Sequence, residues 1–248
     1  MSGKKIYFAS DVHLGLKTYN SAREREIRFV RWLEIVRHNA EAIFLLGDIF
    51  DFWFEYKKVV PKGFVRTLGK IAEITDSGIP VHYFTGNHDL WAFNYFPEET
   101  GVILHTQAYK TELKGKYFFL AHGDGLDVTD KGYRQLKAIF TNRFLQRCFA
   151  AIHPRIGVGF GHVWSQHSRL SKGVSIGFKG EEEGIYKFAK QQLNKESVID
   201  YFVFGHRHTP LIINVNNTNT KLVILGEWIE GCQYAVFDGK NIELLKFD

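Results

Sequence analysis

The chain has 248 residues, 45% of them hydrophobic and 24% charged, which is the balance of a globular protein with one well-buried core and excludes a disordered chain. Cys148 and Cys232 are its only cysteines, which excludes the disulfide framework of a small secreted protein and a thiolate zinc site, and fits a reducing compartment. Its net charge of +5 is regional: residues 126–180 hold nine Lys/Arg against two Asp, for +7, and the remainder comes to about −2.

At the N-terminus, MSGKKIYFASDVHLG carries two lysines but only four apolar residues before Ser10 and Asp11, too few for a signal-peptide core. The run IYFA reads as a buried strand instead. AREREIRFVRWLEIVRH follows, with Phe29, Leu33 and Val36 on one helical face, and then AIFLL as a strand ending at Gly47-Asp48. FVRTLGKIAEITDSGIP predicts a helix that buries Val65, Leu68 and Ala72 and stops at Gly78 and Pro80, before the strand VHYFT ends at Gly86-Asn87. Strand, helix, strand, helix, strand predicts a parallel βαβαβ start.

YFFLA before His122 is the next strand. Residues 126–180 then break the rhythm: a helix containing Leu136, Ile139, Phe140 and Phe144 leads into the Gly-rich HPRIGVGFGHVWSQHSRLSKGVSIGF. We read this segment as a lid-like insertion over the site, within a single domain spanning residues 1–248. YFVF before Gly205-His206 is the fifth core strand. TKLVILGEW, CQYAVF and IELLKF, the last two joined by Asp238 to Asn241, predict a strand and a hairpin, hence mixed strand direction and two stacked sheets. No run approaches the roughly 18 to 20 apolar residues of a membrane span, so the chain is expected in the cytoplasm, free or resting on a surface.

Each of the five core strands ends at an Asp, Asn or His, and in open α/β sheets ligands sit beyond the carboxyl ends of the strands. Taken singly, D-x-H, GDIFD and GNHD are also what a helix cap, an Asx-turn and a tight turn look like. Their joint occurrence reverses that reading, because these side chains are the O and N ligands suited to Mn²⁺, Mg²⁺, Fe²⁺ or Zn²⁺. His206 and His208 are spaced so that an extended chain would turn both to the same side, one toward each of two neighbouring ions, with Arg207 facing away.

The ordered set D-x-H (Asp11, His13), G-D-x-x-D (Gly47, Asp48, Asp51), G-N-H-D (Gly86 to Asp89), the His122 of AHGDG and G-H-x-H (Gly205, His206, His208) resembles the calcineurin-like metallophosphoesterases over residues 11 to 208. The resemblance implies a four-layer α/β/β/α sandwich of two mixed sheets with a helical lid, and a dinuclear centre. Asp11, His13 and His208 would hold one divalent ion and Asn87, His122 and His206 the other, with Asp48 bridging; Mn²⁺ is the first candidate and Fe²⁺, Zn²⁺ or Mg²⁺ the alternatives. It further implies a metal-dependent hydrolase, in which two ions acidify a shared water and neutralise phosphoryl oxygens. His88 would stabilise the transition state or protonate the leaving oxygen, with Asp89 orienting its ring. Asp51 and Asp124 are read as orienting neighbours of the ligands, and the other six histidines as lying off the site.

Within that family the chain is similar to the UDP-2,3-diacylglucosamine pyrophosphatases (hydrolases) of lipid A synthesis, in Asp11-Val12-His13-Leu14, GDIFDFWFEY, HGDGL, the basic insertion and GHRHTP. It departs from the best-known members of the group at His88, where they carry arginine. The similarity implies cleavage of a lipid-linked UDP-sugar to UMP and 2,3-diacylglucosamine 1-phosphate (lipid X), in the cytoplasm or peripherally on the inner membrane face, with no obligate protein partner. Phe140, Phe144, Phe149, Phe160, Trp164 and Phe178 would hold acyl chains, and Arg169 or Lys172 a phosphate. Such a basic face would also settle on an anionic bilayer, each cation contributing about 1 kcal/mol near the surface. The same residues also fit a small core of the insertion's own with a solvated charged face, or a nucleic-acid surface. The alternative is therefore another phosphodiesterase or phosphatase acting on nucleotides, phosphoproteins or DNA. A non-catalytic scaffold on this fold expects lost ligands, and none of the seven is missing.

Overall fold

In the computed structural model the described residues are 3–18, 21–127, 130–172, 177–195 and 198–248, with the side chains of residues 162 and 166–172 outside the description. The chain opens with β1 (Lys5–Ala9), α1 (Ala22–Arg37), β2 (Ala40–Leu46), α2 (Val65–Asp76), β3 (Val81–Phe84), α3 (Tyr95–Thr100) and β4 (Ile103–His105). The next elements are β5 (Tyr109–Leu113), β6 (Lys116–Ala121), α4 (Lys131–Thr141), α5 (Arg143–Ala150), α6 (Pro154–Lys172) and α7 (Gly184–Lys195). Five strands close it: β7 (Tyr201–Phe204), β8 (Leu211–Asn214), β9 (Lys221–Ile224), β10 (Gln233–Phe237) and β11 (Ile242–Lys246).

The first sheet runs β11-β10-β1-β2-β3-β4, parallel from β1 to β4 and antiparallel through the β10/β11 hairpin. The second runs β5-β6-β7-β9-β8, with β6, β7 and β9 parallel and both edge strands antiparallel. Two-residue alternation sorts their side chains. Ile6 and Phe8 of β1, with Phe44, Phe118, Val203 and Phe237, fill the space between the sheets, where the Phe8 ring stacks on Phe44 at 5.2 Å and on Phe118 at 5.8 Å. Tyr7 and Ala9 face the other way, into a core shared with α1, α2 and α3, while Phe202, Phe204 and Leu222 pack the second sheet against α7. The result is the expected α/β/β/α stack.

Helix α1 is fixed at its start by a capping box, in which the Glu24 N–H donates to Ser21 Oγ at 3.1 Å and the Ser21 N–H to the Glu24 carboxylate at 3.3 Å. It buries Phe29, Trp32, Leu33 and Val36, the expected face. Helix α2 is rotated from expectation. It buries Thr67, Ile71 and Ile74, with Leu68 partly packed, and leaves Val65 76% exposed. The reason is its starting point: Val65 opens the helix and has no preceding turn to pack over, so the i, i+4, i+7 stripe begins at Thr67.

The insertion's regular structure, where described, is α4, α5 and α6, joined by short non-helical turns. Its Gly-rich part forms the 19-residue α6 despite three internal glycines, two of which, Gly157 and Gly161, face the Tyr56 and Phe52 side chains where a Cβ would not fit. Phe178 lies elsewhere than expected: it packs with α7 against the second sheet, not with the other aromatics. Among the described residues, no helix is long and apolar enough to cross a membrane.

Candidate metal centre

The loops after β1, β2, β3, β6 and β7 converge. The Asp11 and His13 N–H groups donate to the Gly47 and Asp48 carbonyls, both at 3.0 Å, tying the first two loops together. Gly205 N–H donates to the His122 carbonyl at 2.8 Å and His206 N–H to Asp11 Oδ2 at 2.9 Å, bringing the last loop onto the first. A Cβ on Gly86 would stand 2.2 Å from Asp48 Oδ1, and one on Gly205 2.6 Å from Asp11 Oδ2, so these motif glycines are what lets carboxylates approach backbone. Of the ten non-glycine residues with positive φ among the described residues, five are Asp11, His13, Asp48, His206 and His208. Left-handed backbone costs a bulky residue about 1 kcal/mol or more, and such strain collects where side chains must be aimed.

His206 and His208 therefore reach the centre differently from the sequence expectation. The chain after β7 is not extended: φ is 66° at His206 and 53° at His208. The kinks send the two rings to different groups. Asp11, His13 and His208 form one cluster and Asp48, His122 and His206 another, each with a set of donor atoms mutually within 4.8 Å. His208 Nε2 lies 3.1 Å from Asp11 Oδ1 and 3.3 Å from His13 Nε2. His122 Nε2 lies 3.2 Å from Asp48 Oδ2 and 3.3 Å from Asn87 Oδ1. Arg207, turned away as expected, has its Nε 2.9 Å from Glu183 Oε1 and donates from an Nη to Oε2 at 3.1 Å.

Burial would raise the Asp11 carboxyl, but His208 beside it overrides this and holds it down at about 2. Burial likewise opposes the depression of Asp48, which His122, His88 and His13 hold well below the usual carboxylate range. For His122 the buried setting disfavours the cation, yet Asp48 and Asp11 push it up to about 10, and His208 is raised against its burial by Asp11. Two buried carboxylates, each held ionised by the imidazoles beside it, form a site built to hold positive charge. Its oxygen and nitrogen donors fit divalent cations, whose binding would displace protons from those imidazoles.

His88 approaches from the Asn87 side. Its Nε2 is 4.0 Å from Asp48 Oδ2 and its backbone N–H donates to Asp48 Oδ1 at 2.8 Å. Asp89 does not orient its ring. The Asp89 carboxylate, fully buried, accepts the N–H groups of Gly86 (2.7 Å), Ile49 (2.9 Å) and Asp48 (3.2 Å) and the Tyr83 hydroxyl (2.5 Å), so it braces the loop that presents Asp48. The ring's hydrogen-bond partners are the Asp51 carbonyl at 2.9 Å and Ser165 Oγ at 3.2 Å, both on Nδ1, and its edge meets the His13 ring at 4.9 Å. Asp51 has its carboxylate 3.6 Å from His13 Nδ1, behind that ring. Asp124 accepts from the Tyr133 hydroxyl at 2.7 Å and pairs with Lys137 Nζ at 2.7 Å, anchoring α4. Arg169 and Lys172, the expected phosphate contacts, have side chains outside the described residues. Ser165, Tyr133, Lys137 and Glu183 were invisible as site neighbours because no local motif marks them.

Two cavities flank the centre. One, of about 300 Å³, runs from Asn87 and His88 between Trp91, Phe140, Phe160 and Trp164. The other, of about 310 Å³, lies on the His206 side, and Asp127, Tyr133, Lys179 and Arg207 are among its lining residues.

The chain is 40% identical to UDP-2,3-diacylglucosamine hydrolase of Porphyromonas gingivalis, over 97% of this chain and 96% of that one. It is 28% identical to UDP-2,3-diacylglucosamine hydrolase of Salmonella paratyphi C, over 88% of this chain and 90% of that one. Among solved structures, an archaeal phosphodiesterase aligns over 98% of this chain and 99% of its own at 13% identity and a TM-score of 0.49, too distant to inform the site. The model of the calcineurin-like phosphoesterases matches residues 4–210, the stretch that carries all five converging loops, and the chain belongs to that family.

Proposed function

We propose that the protein hydrolyses the pyrophosphate of UDP-2,3-diacylglucosamine, releasing UMP and 2,3-diacylglucosamine 1-phosphate. The observation that carries this reading is the aromatic-walled cavity that opens at His88 and Asn87, because a site for water-soluble diesters needs no apolar chamber beside its phosphate centre. The names of the two relatives point the same way.

Asp11, His13 and His208 would hold one divalent ion and Asn87, His122 and His206 the other, with Asp48 between them. Such ions supply charge for the phosphoryl oxygens and acidify water at neutral pH. The chain's own residues do the rest. Asp89 and the motif glycines fix where Asp48 stands, so the donors need no rearrangement when the substrate arrives. His88, with Nδ1–H held by the Asp51 carbonyl, turns Nε2 to the centre, where it can hold a proton against the leaving phosphate oxygen as the P–O bond breaks. The acyl chains occupy the cavity beneath α4 and α6, which thereby act as a lid, and the nucleotide lies toward Arg207 and Lys179.

The lid's outer face supports work at a membrane surface. Phe144, Ile156 and Val163 are 71%, 65% and 65% exposed, and Lys131, Arg134, Arg143, Arg147 and Arg155 of the same three-helix segment are exposed as well. This favours a cytoplasmic protein that rests on an anionic leaflet. The test is UMP release from the diacylated UDP-sugar beside UDP-N-acetylglucosamine and simple nucleotide diesters. We expect kcat/KM at least about a hundredfold higher for the diacylated substrate; equal values would refute the lipid-linked reading.

A further inference from the structure

We propose that Ser165, on α6, is a positioning residue for His88, so that the imidazole is aligned with the metal centre only while the lid helix is seated. Ser165 is 2% exposed, and its Oγ lies 3.2 Å from His88 Nδ1. The Asp51 carbonyl, 2.9 Å from the same nitrogen, can only accept, so Nδ1 carries the hydrogen and Ser165 Oγ is its second acceptor. That shared N–H leaves Nε2 as the nitrogen that faces Asp48. One acceptor belongs to the loop that carries the ring; the other belongs to a different part of the molecule.

Small residues let α6 come close enough. Gly157, Gly161 and Ser165 are spaced four apart and share one helical face. A Cβ on Gly157 would stand 2.1 Å from the Tyr56 hydroxyl, and one on Gly161 2.2 Å from the Phe52 ring. Phe52 and Tyr56 follow directly on the Gly47–Asp51 motif, so the helix lies on the continuation of the metal-site loop and delivers Ser165 to His88 at its end. Gly161 and Ser165 also wall the apolar cavity beside His88. Filling of that cavity and alignment of the ring are thus linked through one helix face.

The inference uses the placement of His88 argued above, but its test does not depend on the lipid substrate. Turnover of bis(p-nitrophenyl) phosphate by the metal-loaded protein should lose about tenfold in kcat on Ser165→Ala, with KM within twofold, and Ser165→Thr should restore kcat to within about threefold. Gly161→Ala, which displaces the helix, should cost a similar factor, and the double variant no more than either single one. In the metal-free protein, labelled-histidine NMR should show the His88 Nδ1–H resonance moved or broadened in Ser165→Ala and Gly161→Ala and kept in Ser165→Thr. An unchanged kcat, equal losses in Ser165→Ala and Ser165→Thr, or an unmoved His88 resonance in both variants would each overturn the proposal. Failure to release UMP from the diacylated sugar, with these results intact, would overturn only the substrate reading.

Discussion

The Asp48 carboxylate has one oxygen 3.2 Å from His122 Nε2 and 4.0 Å from His88 Nε2, while the other takes the His88 backbone N–H at 2.8 Å. Asp48→Ala should therefore lower metal-dependent phosphodiester turnover by about a thousandfold or more, the scale of several kcal/mol of charge stabilisation, while circular dichroism stays that of the folded chain. Turnover within tenfold of wild type would refute its place in the centre. His122 gives a second expectation. Its folded-state value near 10 lies above the ordinary histidine value, so at pH 8 the metal-free protein carries this proton, and ligation requires its loss. Titration calorimetry with Zn²⁺ or Mn²⁺ at pH 8, in buffers of different ionisation enthalpy, should show about one proton or more released per chain, and apparent affinity should rise with pH up to about 10. Binding without proton release would exclude His122 as a ligand.

At the scale of elements, β3 and β4 carry a histidine pair remote from the centre. His82 Nδ1 lies 2.9 Å from His105 Nε2, the His82 ring stacks on Phe44 at 4.3 Å, and the His105 ring on Phe84 at 4.4 Å. Burial first, then His105, lowers His82 to about 4. A folded-state value below the unfolded one gives stability that is complete above about pH 6.5 and is lost as pH falls toward 4, because the unfolded chain takes up the proton first. His82→Gln should flatten that part of the Tm-against-pH curve; an identical curve would show that the pair contributes nothing. The sequence read these two histidines as lying off the motifs, and it reached the five core strands because each is a short apolar run stopped by Gly or a polar residue. It did not reach β4, β5, β8 or α3, which are short or half-exposed, nor α7, although Ile185, Ala189 and Leu193 fall at helical spacing there. Thr67, Ile71 and Ile74 replaced Val65 and Ala72 on the buried face of α2 because where a helix starts depends on packing. That Asp11, His13, Asp48, Asn87, His122, His206 and His208 would come together was legible from the order of the motifs. Their aim was not, since left-handed turns at Asp11, Asp48 and His206 are set by contacts between loops far apart in sequence.

Across the whole molecule, the aromatic-walled cavity, the centre and the cavity edged by Lys179 and Arg207 lie side by side, and the substrate proposed for them is apolar at one end and charged at the other. Burying each methylene of an acyl chain contributes about 0.8 kcal/mol, roughly a fourfold change in binding. If the chamber between Trp91, Phe140, Phe160 and Trp164 receives those chains, shortening both by two methylenes should raise KM by a little over two orders of magnitude with kcat changing far less, because the lost contacts are the same in the ground and transition states. Phe140→Ala should reduce that dependence on chain length, since it removes one wall, while leaving the centre's donors in place. The Trp91 indole N–H donates to the Phe140 carbonyl at 2.8 Å, a bond the substitution keeps, so the effect belongs to the lost ring. A KM independent of chain length would mean that the chains remain in the bilayer during catalysis and that the chamber serves another group. The exposed Phe144 separates the two cases: Phe144→Asp should weaken sedimentation with phosphatidylglycerol vesicles without altering the chain-length dependence measured in detergent.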